Sequence, residues 1–305
     1  MKIGIIGSNG FIGKHLSKEL SEITGVSLQL FGRSEMSTSE SGLNYKQIDL
    51  LNSNQLIHDL DEIDLVYYLA SDSIPASSWE NPFFEIENNL IPFINFLDCS
   101  SKAGVKKIVF ISSAGTVYGP SNERLSEESD KKPFSPYGIT KLTMENYLNY
   151  YSQKHNLQHD IFRVSNIYGE GQNTAKGLGV INTFLENILT NNSITVFGNG
   201  EQVRNYIYIK DVVQILSCSI QNNISNSNIY NLASDDNLCI NDLIALIQNH
   251  ISKDFTVHYN DSRGSDNPHI YLDNSKIKHT FPDIEFTPIE KGMQQSYHFL
   301  KNNPL

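Results

Sequence analysis

Residues 2–6, KIGII, are an apolar run that passes straight into Gly7-Ser8-Asn9-Gly10-Phe11-Ile12-Gly13, after which apolar side chains recur at helical spacing through Leu16 and Leu20. This feature restricts the fold more than any other. Glycines at this spacing allow a tight strand-to-helix turn, close approach of backbone to a pyrophosphate, and close packing of helix on strand. The helix N-terminus then faces the phosphates with its unpaired N–H groups.

Such a loop needs a sheet behind it, and the chain supplies candidates at 2–6, 27–31, 44–48, 65–69, 106–111 and 159–163, with helical patterns between most of them. That alternation predicts parallel strands joined by right-handed crossovers, a Rossmann-type doubly wound α/β sheet. Beyond about Asn166 the order breaks into a helical stretch at 180–189, a short strand at 194–197 and a Gly-rich turn. The expected division is a dinucleotide-binding domain over 1–166, with later returns near 205–235, and a smaller mixed domain over 167–305 that binds substrate.

Tyr137 and Lys141 stand four residues apart in SPYGITK. On a helix they share one face, so the Lys141 ammonium is expected beside the Tyr137 phenol, lowering its pKa and making it a proton donor or acceptor near neutral pH. The strand at 106–111 leaves through Ser112-Ser113-Ala114-Gly115-Thr116-Val117-Tyr118-Gly119. Ligands of open parallel sheets bind beyond the carboxyl ends of the strands, so hydroxyls here would reach the crevice of the glycine loop.

A chain of 305 residues with a formal net charge of −11 and no basic block argues against a nucleic-acid groove. Cys99, Cys218 and Cys239 lack metal-ligand spacing and read as reduced core thiols of a cytoplasmic protein, with neither disulfide nor metal expected. No secretory leader or bilayer-length apolar run is found.

Taken in order, GSNGFIG, VYYLAS, ENNLIPFINFL, FISSAGTVYG, SPYGITK, FRVSNIYGEGQ, VFGNGEQVRNYIYIKD and RGSDN resemble the nucleotide-sugar epimerase and dehydratase branch of the extended short-chain dehydrogenase/reductase superfamily. The resemblance implies Tyr137 as acid/base at a sugar hydroxyl, Lys141 at the nicotinamide ribose and Asn89 as support for the site. It places the cofactor, NAD or NADP, against Gly7, Asn9, Gly10, Phe11, Ile12, Gly13, Arg33, Asp49, Leu50, Leu69, Ala70, Ser71 and Asn89, besides Tyr137 and Lys141. Asn166, Arg204 and Arg263 would hold the nucleotide sugar together with Ser113 and Tyr137, and a homodimer is implied.

Two departures bear on the reaction. Where many relatives carry the catalytic Ser or Thr this chain has Ala114, so the hydroxyl one step earlier, Ser113, is the catalytic candidate, with Ser112 or Thr116 as alternatives. Gly115 and Thr116 replace the Asp-Glu pair with which dehydratases of the superfamily eliminate water, which disfavours dehydration and weakens a decarboxylase reading. At the end of the second strand, Gly32-Arg33 stands where an NAD-binding chain offers a carboxylate to the ribose 2′-hydroxyl, and a cation there suits the 2′-phosphate of NADP. The leading expectation is a nucleotide-sugar 4-epimerase. A 4-ketoreductase consuming NADPH is the alternative, and a non-catalytic regulator would be expected to lose Tyr137 or Lys141.

Overall fold

The computed structural model describes residues 1–34, 44–175, 179–220, 227–261 and 269–303. Its largest sheet contains seven strands. Five of them are β1 (Lys2–Ile6), β2 (Ser27–Gly32), β3 (Asn44–Gln47), β4 (Leu65–Tyr68) and β5 (Lys107–Ser113), and Gln158–Val164 and Asn228–Leu232 complete it. The spatial order is Asn228–Leu232, Gln158–Val164, β5, β4, β1, β2, β3. β1 pairs in parallel with β2 and β4, β2 with β3, and β4 with β5. Since β2 lies on one side of β1 and β4 on the other, the strand order reverses at β1. The crevice beyond the carboxyl ends of β1 and β4 is therefore where such a sheet takes its ligand.

Each strand anticipated in this sheet is present. β5 runs two residues further than the periodicity suggests, so Ser112 and Ser113 end the strand instead of opening a loop. A short helical turn, Ala114–Val117, follows directly.

The chain divides into two compact units: one of Met1–Val117, Lys131–Arg163 and Val213–Tyr230, the other of Tyr118–Asp130, Val164–Val212 and Asn231–Leu305. In the first, Tyr68 of β4 and Phe110 of β5 pack against Phe93 and Phe96 of the helix Ile91–Ala103, with Tyr68 centroids 4.8 and 4.9 Å from the two helix rings and Phe93 5.1 Å from Phe110. Burial of each such ring contributes about 1.5–3 kcal/mol. That aromatic layer fixes the helix spacing over the sheet, on which the helix Pro136–His155 also packs through Met144 and Leu148.

The second unit holds a three-stranded sheet in the order Asn237–Cys239, Val203–Tyr208, Asn166–Tyr168. It also has two parallel pairs of sequence-distant strands, Ser193–Phe197 with Thr256–Asn260 and Arg124–Leu125 with Tyr271–Leu272. No helix among the described residues is long and apolar enough to cross a membrane. The three cysteines form no disulfide, and only Cys99 is a core thiol. Cys218 is half-buried, and Cys239 is held half-exposed because it caps the helix Ile240–His250, its Sγ accepting the Asp242 N–H at 3.3 Å.

Candidate active site

The glycine loop joins β1 to α1 (Phe11–Ser21), whose N-terminal residue Gly10 supplies no side-chain cap, so the first N–H groups of α1 are left for an anion. Gly7 adopts φ +87°, and a Cβ there would lie 2.9 Å from Ala70 N, the backbone just after β4. A Cβ at Gly13 would sit 2.4 Å from Gly7 O. The loop is thus a cradle shaped by missing side chains, which fits a pyrophosphate. Leu69, Ala70 and Ser71 follow β4 at the same edge, and Asp49 and Leu50 follow β3.

Tyr137 and Lys141 lie on the first turns of Pro136–His155, a helix opened by Pro136 and capped by Ser135, whose Oγ accepts the Gly138 N–H at 3.1 Å. A Cβ at Gly138 would stand 2.4 Å from Thr116 O. The glycine after Tyr137 therefore lets this helix press on the turn that follows Ser113. Lys141 is buried; its Nζ donates to Ile111 O at 3.0 Å and lies 4.9 Å from the Phe110 ring centroid and 5.6 Å from that of Tyr137.

The electrostatics correct one expectation. Tyr137 is not acidified: burial first, then the nearby Glu85 carboxylate, push its phenol up to about 12, against a hydrogen bond with Ser71 that lowers it. Burial also brings Lys141 down to about 8, opposed by the Glu85 and Glu145 carboxylates. The ammonium faces a carbonyl and two ring faces, so desolvation outweighs its attraction for a phenolate.

Successive strand residues point to opposite faces, which separates the two serines. Ser112 is buried and donates to Glu145 Oε1 at 2.5 Å, while Arg163 grips the same carboxylate through Nε and Nη2 at 3.1 and 2.7 Å. Ser113, on the opposite face of the strand, is half-buried. Thr116 Oγ1 is enclosed. Ser113→Ala is expected to lower kcat roughly ten- to a thousandfold. Ser112→Ala should leave kcat nearly unchanged but cost stability by about 1–3 kcal/mol, having stripped a buried charged acceptor of a donor. Paired kcat and thermal-unfolding measurements check this; the reverse pattern would move the catalytic hydroxyl to Ser112.

Asn89 braces the segment after β4, its Oδ1 accepting the Asp72 N–H and its Nδ2 donating to Ser73 Oγ, both at 3.0 Å. Arg33 is exposed and pairs with Asp72 at 2.5 Å. Gly32 has a packing reason that sequence reading missed: a Cβ there would lie 2.4 Å from Tyr45 Oη and 3.0 Å from Asn9 Nδ2. Tyr45 Oη itself donates to Ser34 O at 2.6 Å and accepts from Asn9 Nδ2 at 3.0 Å. In the second unit, Asn166 and Arg204 stand on paired strands, Asn166 Nδ2 donating to Asn205 O at 2.9 Å. Arg263 lies outside the described residues.

Residues 3–233 match the family model of the NAD dependent epimerase/dehydratase family. Among curated relatives, a putative UDP-glucose 4-epimerase of Methanocaldococcus jannaschii is 29% identical over 98% of both chains. A dTDP-4-dehydro-6-deoxyglucose reductase of Escherichia coli is 32% identical over 93% of this chain and 92% of its own. Among solved structures, the UDP-glucose 4-epimerase of Thermotoga maritima with UDP-glucose superposes with a TM-score of 0.91 at 26% identity, over 99% of each chain.

Proposed function

This chain belongs to the NAD dependent epimerase/dehydratase family, and on that premise we propose that it is a nucleotide-sugar 4-epimerase. What supports this reading is the Tyr137 and Lys141 pair on a helix that presses, through Gly138, on the turn directly after Ser113. The nicotinamide cofactor, when bound, supplies the acceptor and donor of hydride at the sugar C4. Tyr137 takes the proton of the 4-hydroxyl and returns it. Ser113 bridges that oxygen and the phenol, and the Lys141 cation stabilises the phenolate as the proton leaves. Asn166, Arg204 and Arg263 hold the sugar and its diphosphate, a task suited to guanidinium geometry. Gly115 and Thr116 offer no acid–base pair at carbon, which argues against elimination.

A second reading, reduction of a nucleotide-linked 4-keto-6-deoxy sugar by NADPH, is favoured by Arg33 and by the 32% identical reductase. The deciding experiment incubates the protein with UDP- and dTDP-linked hexoses and 4-keto sugars while following absorbance at the reduced nicotinamide band. Interconversion of 4-epimers without net cofactor consumption supports the epimerase; stoichiometric loss of NADPH overturns it in favour of the reductase.

Arg33 gives a second test. Its exposed pair with Asp72 is worth about 0–1 kcal/mol, so a 2′-phosphate can draw the guanidinium away. On the NADPH reading, Arg33→Ala weakens NADP(H) by roughly ten- to a hundredfold in a fluorescence titration and leaves NAD(H) unchanged. Equal affinities for both cofactors, unmoved by the substitution, remove this support for the reductase. Restoring a carboxylate with Gly32→Asp requires Tyr45→Phe as well, because the Tyr45 hydroxyl occupies that space.

A further inference from the structure

Glu85 is only 1% exposed, and no role at the site has been attached to it so far. It ends the short helix Pro82–Glu85, and the next residues, Ile86–Leu90, form a π-helical turn before Ile91–Ala103. Single π turns collect at functional sites because their poorer hydrogen bonding must be offset. Here the turn brings Asn89 back over Glu85, Nδ2 donating to Oε2 at 3.2 Å. Oε1 is enclosed without a hydrogen-bond partner. It borders a closed cleft shared with Ala70, Ser71, Tyr137, Thr140 and Lys141.

A buried carboxylate stays ionised only where another charge compensates it; otherwise it takes up a proton. Glu145 is already matched by Arg163. Lys141 touches a carbonyl and two rings, none of them charged. The cleft therefore brings together one buried carboxyl group and one buried amine, neither with another ionic partner among the described residues. We propose that Glu85 is the counter-ion of the Tyr137–Lys141 pair, a positioning residue that keeps Lys141 protonated and holds the proton on Tyr137 until a substrate oxygen arrives. This rests on the roles given to Tyr137 and Lys141 above.

The directions agree: Glu85 is the first carboxylate opposing the downward push on Lys141, and it adds to the upward push on Tyr137. The other charges around this helix are matched or distant. Asp98 pairs with Lys102 at 2.6 Å on Ile91–Ala103, beside the buried Cys99. Lys107 pairs with Asp160 at 2.6 Å at the start of β5, Asp72 pairs with Arg33, and Glu87 of the π turn is exposed. Tyr68 of β4 is buried with its phenol pushed up, and the turns Pro75–Ser78 and Ala114–Val117 bring no titratable side chain.

Glu85→Gln keeps the shape and the acceptor for Asn89 while removing the charge. In lysine side-chain NMR of the whole protein, with the Lys141 signal assigned by Lys141→Arg, Lys141 is expected to lose its proton at least about one pH unit lower in the variant. Both limbs of the pH–rate profile should move to lower pH, since the phenol and the ammonium each lose a neighbouring anion, and Glu85→Asp should return them. A role confined to bracing Asn89 would lower the rate equally at every pH. Titration and profile unmoved by Glu85→Gln overturn the proposal. If Lys141 titrates lower but no nucleotide sugar is turned over, the counter-ion stands and the assigned reaction fails. Should Glu85→Gln fold poorly, thermal unfolding of Glu85→Gln, Lys141→Met and their double variant decides: the proposal requires the double variant to be more stable than the sum of the two single losses, and simple additivity overturns it.

Discussion

Tyr137→Phe is expected to lower kcat by at least about a hundredfold while leaving nucleotide-sugar affinity within about threefold of native. The substitution removes one hydroxyl and nothing else: the ring stays packed at the head of its helix and the Lys141 amine still lies over its face. Because the phenol is held up to about 12, the neutral form is the resting state. A proton can pass to it or from it only when the sugar oxygen and the Lys141 cation share the charge. The loss should therefore fall on the chemical step and not on binding, which calorimetric titration of the nucleotide sugar separates from turnover. Near-native turnover by the Phe variant would remove Tyr137 from the mechanism.

How much of this was legible in the sequence depends on what holds each residue in place. The central strands of the large sheet, such as β1 (KIGII) and β4 (LVYY), are buried apolar runs that burial writes into the sequence, whereas the edge strand β3 (NYKQ) is polar and half-exposed. Tyr137 and Lys141 are readable because one helix carries both at a fixed spacing. Glu85, Tyr45 and Asp72 are different: each meets its partner through the topology of the sheet, and no local pattern announces that Gly32 must be bare because a hydroxyl from β3 fills its space. The Tyr137 phenol also defeated spacing, which gives proximity to Lys141 but says nothing of desolvation. The two-residue pairing of Arg124–Leu125 with Tyr271–Leu272 joins segments too short and too distant to show periodicity.

Gly13→Ala should weaken cofactor binding about a hundredfold or more, the second large effect expected of this chain. Its Cβ would fall 2.4 Å from Gly7 O, 2.7 Å from Ser8 Cα and 2.7 Å from Ser8 O, all backbone atoms of the loop that it must pack on. None of these can swing aside as a side-chain tip could, so α1 must back away from β1. The N–H groups at its start then no longer converge on one point. Overpacking of this kind costs about 1–3 kcal/mol, and at the upper end of that range a hundredfold loss of affinity follows if the strain is relieved only by opening the cradle. Gly10→Ala is the contrast within the same loop. Its Cβ would be 3.2 Å from Gly7 O, a clash that a shift of a few tenths of an ångström removes, so its loss should be tenfold at most. Fluorescence titration with the reduced cofactor, alongside far-ultraviolet circular dichroism to confirm folding, distinguishes the two. Native affinity in a folded Gly13→Ala protein would mean that the pyrophosphate is not held by the start of α1, and the cofactor would have to be sought elsewhere along the carboxyl edge of the sheet.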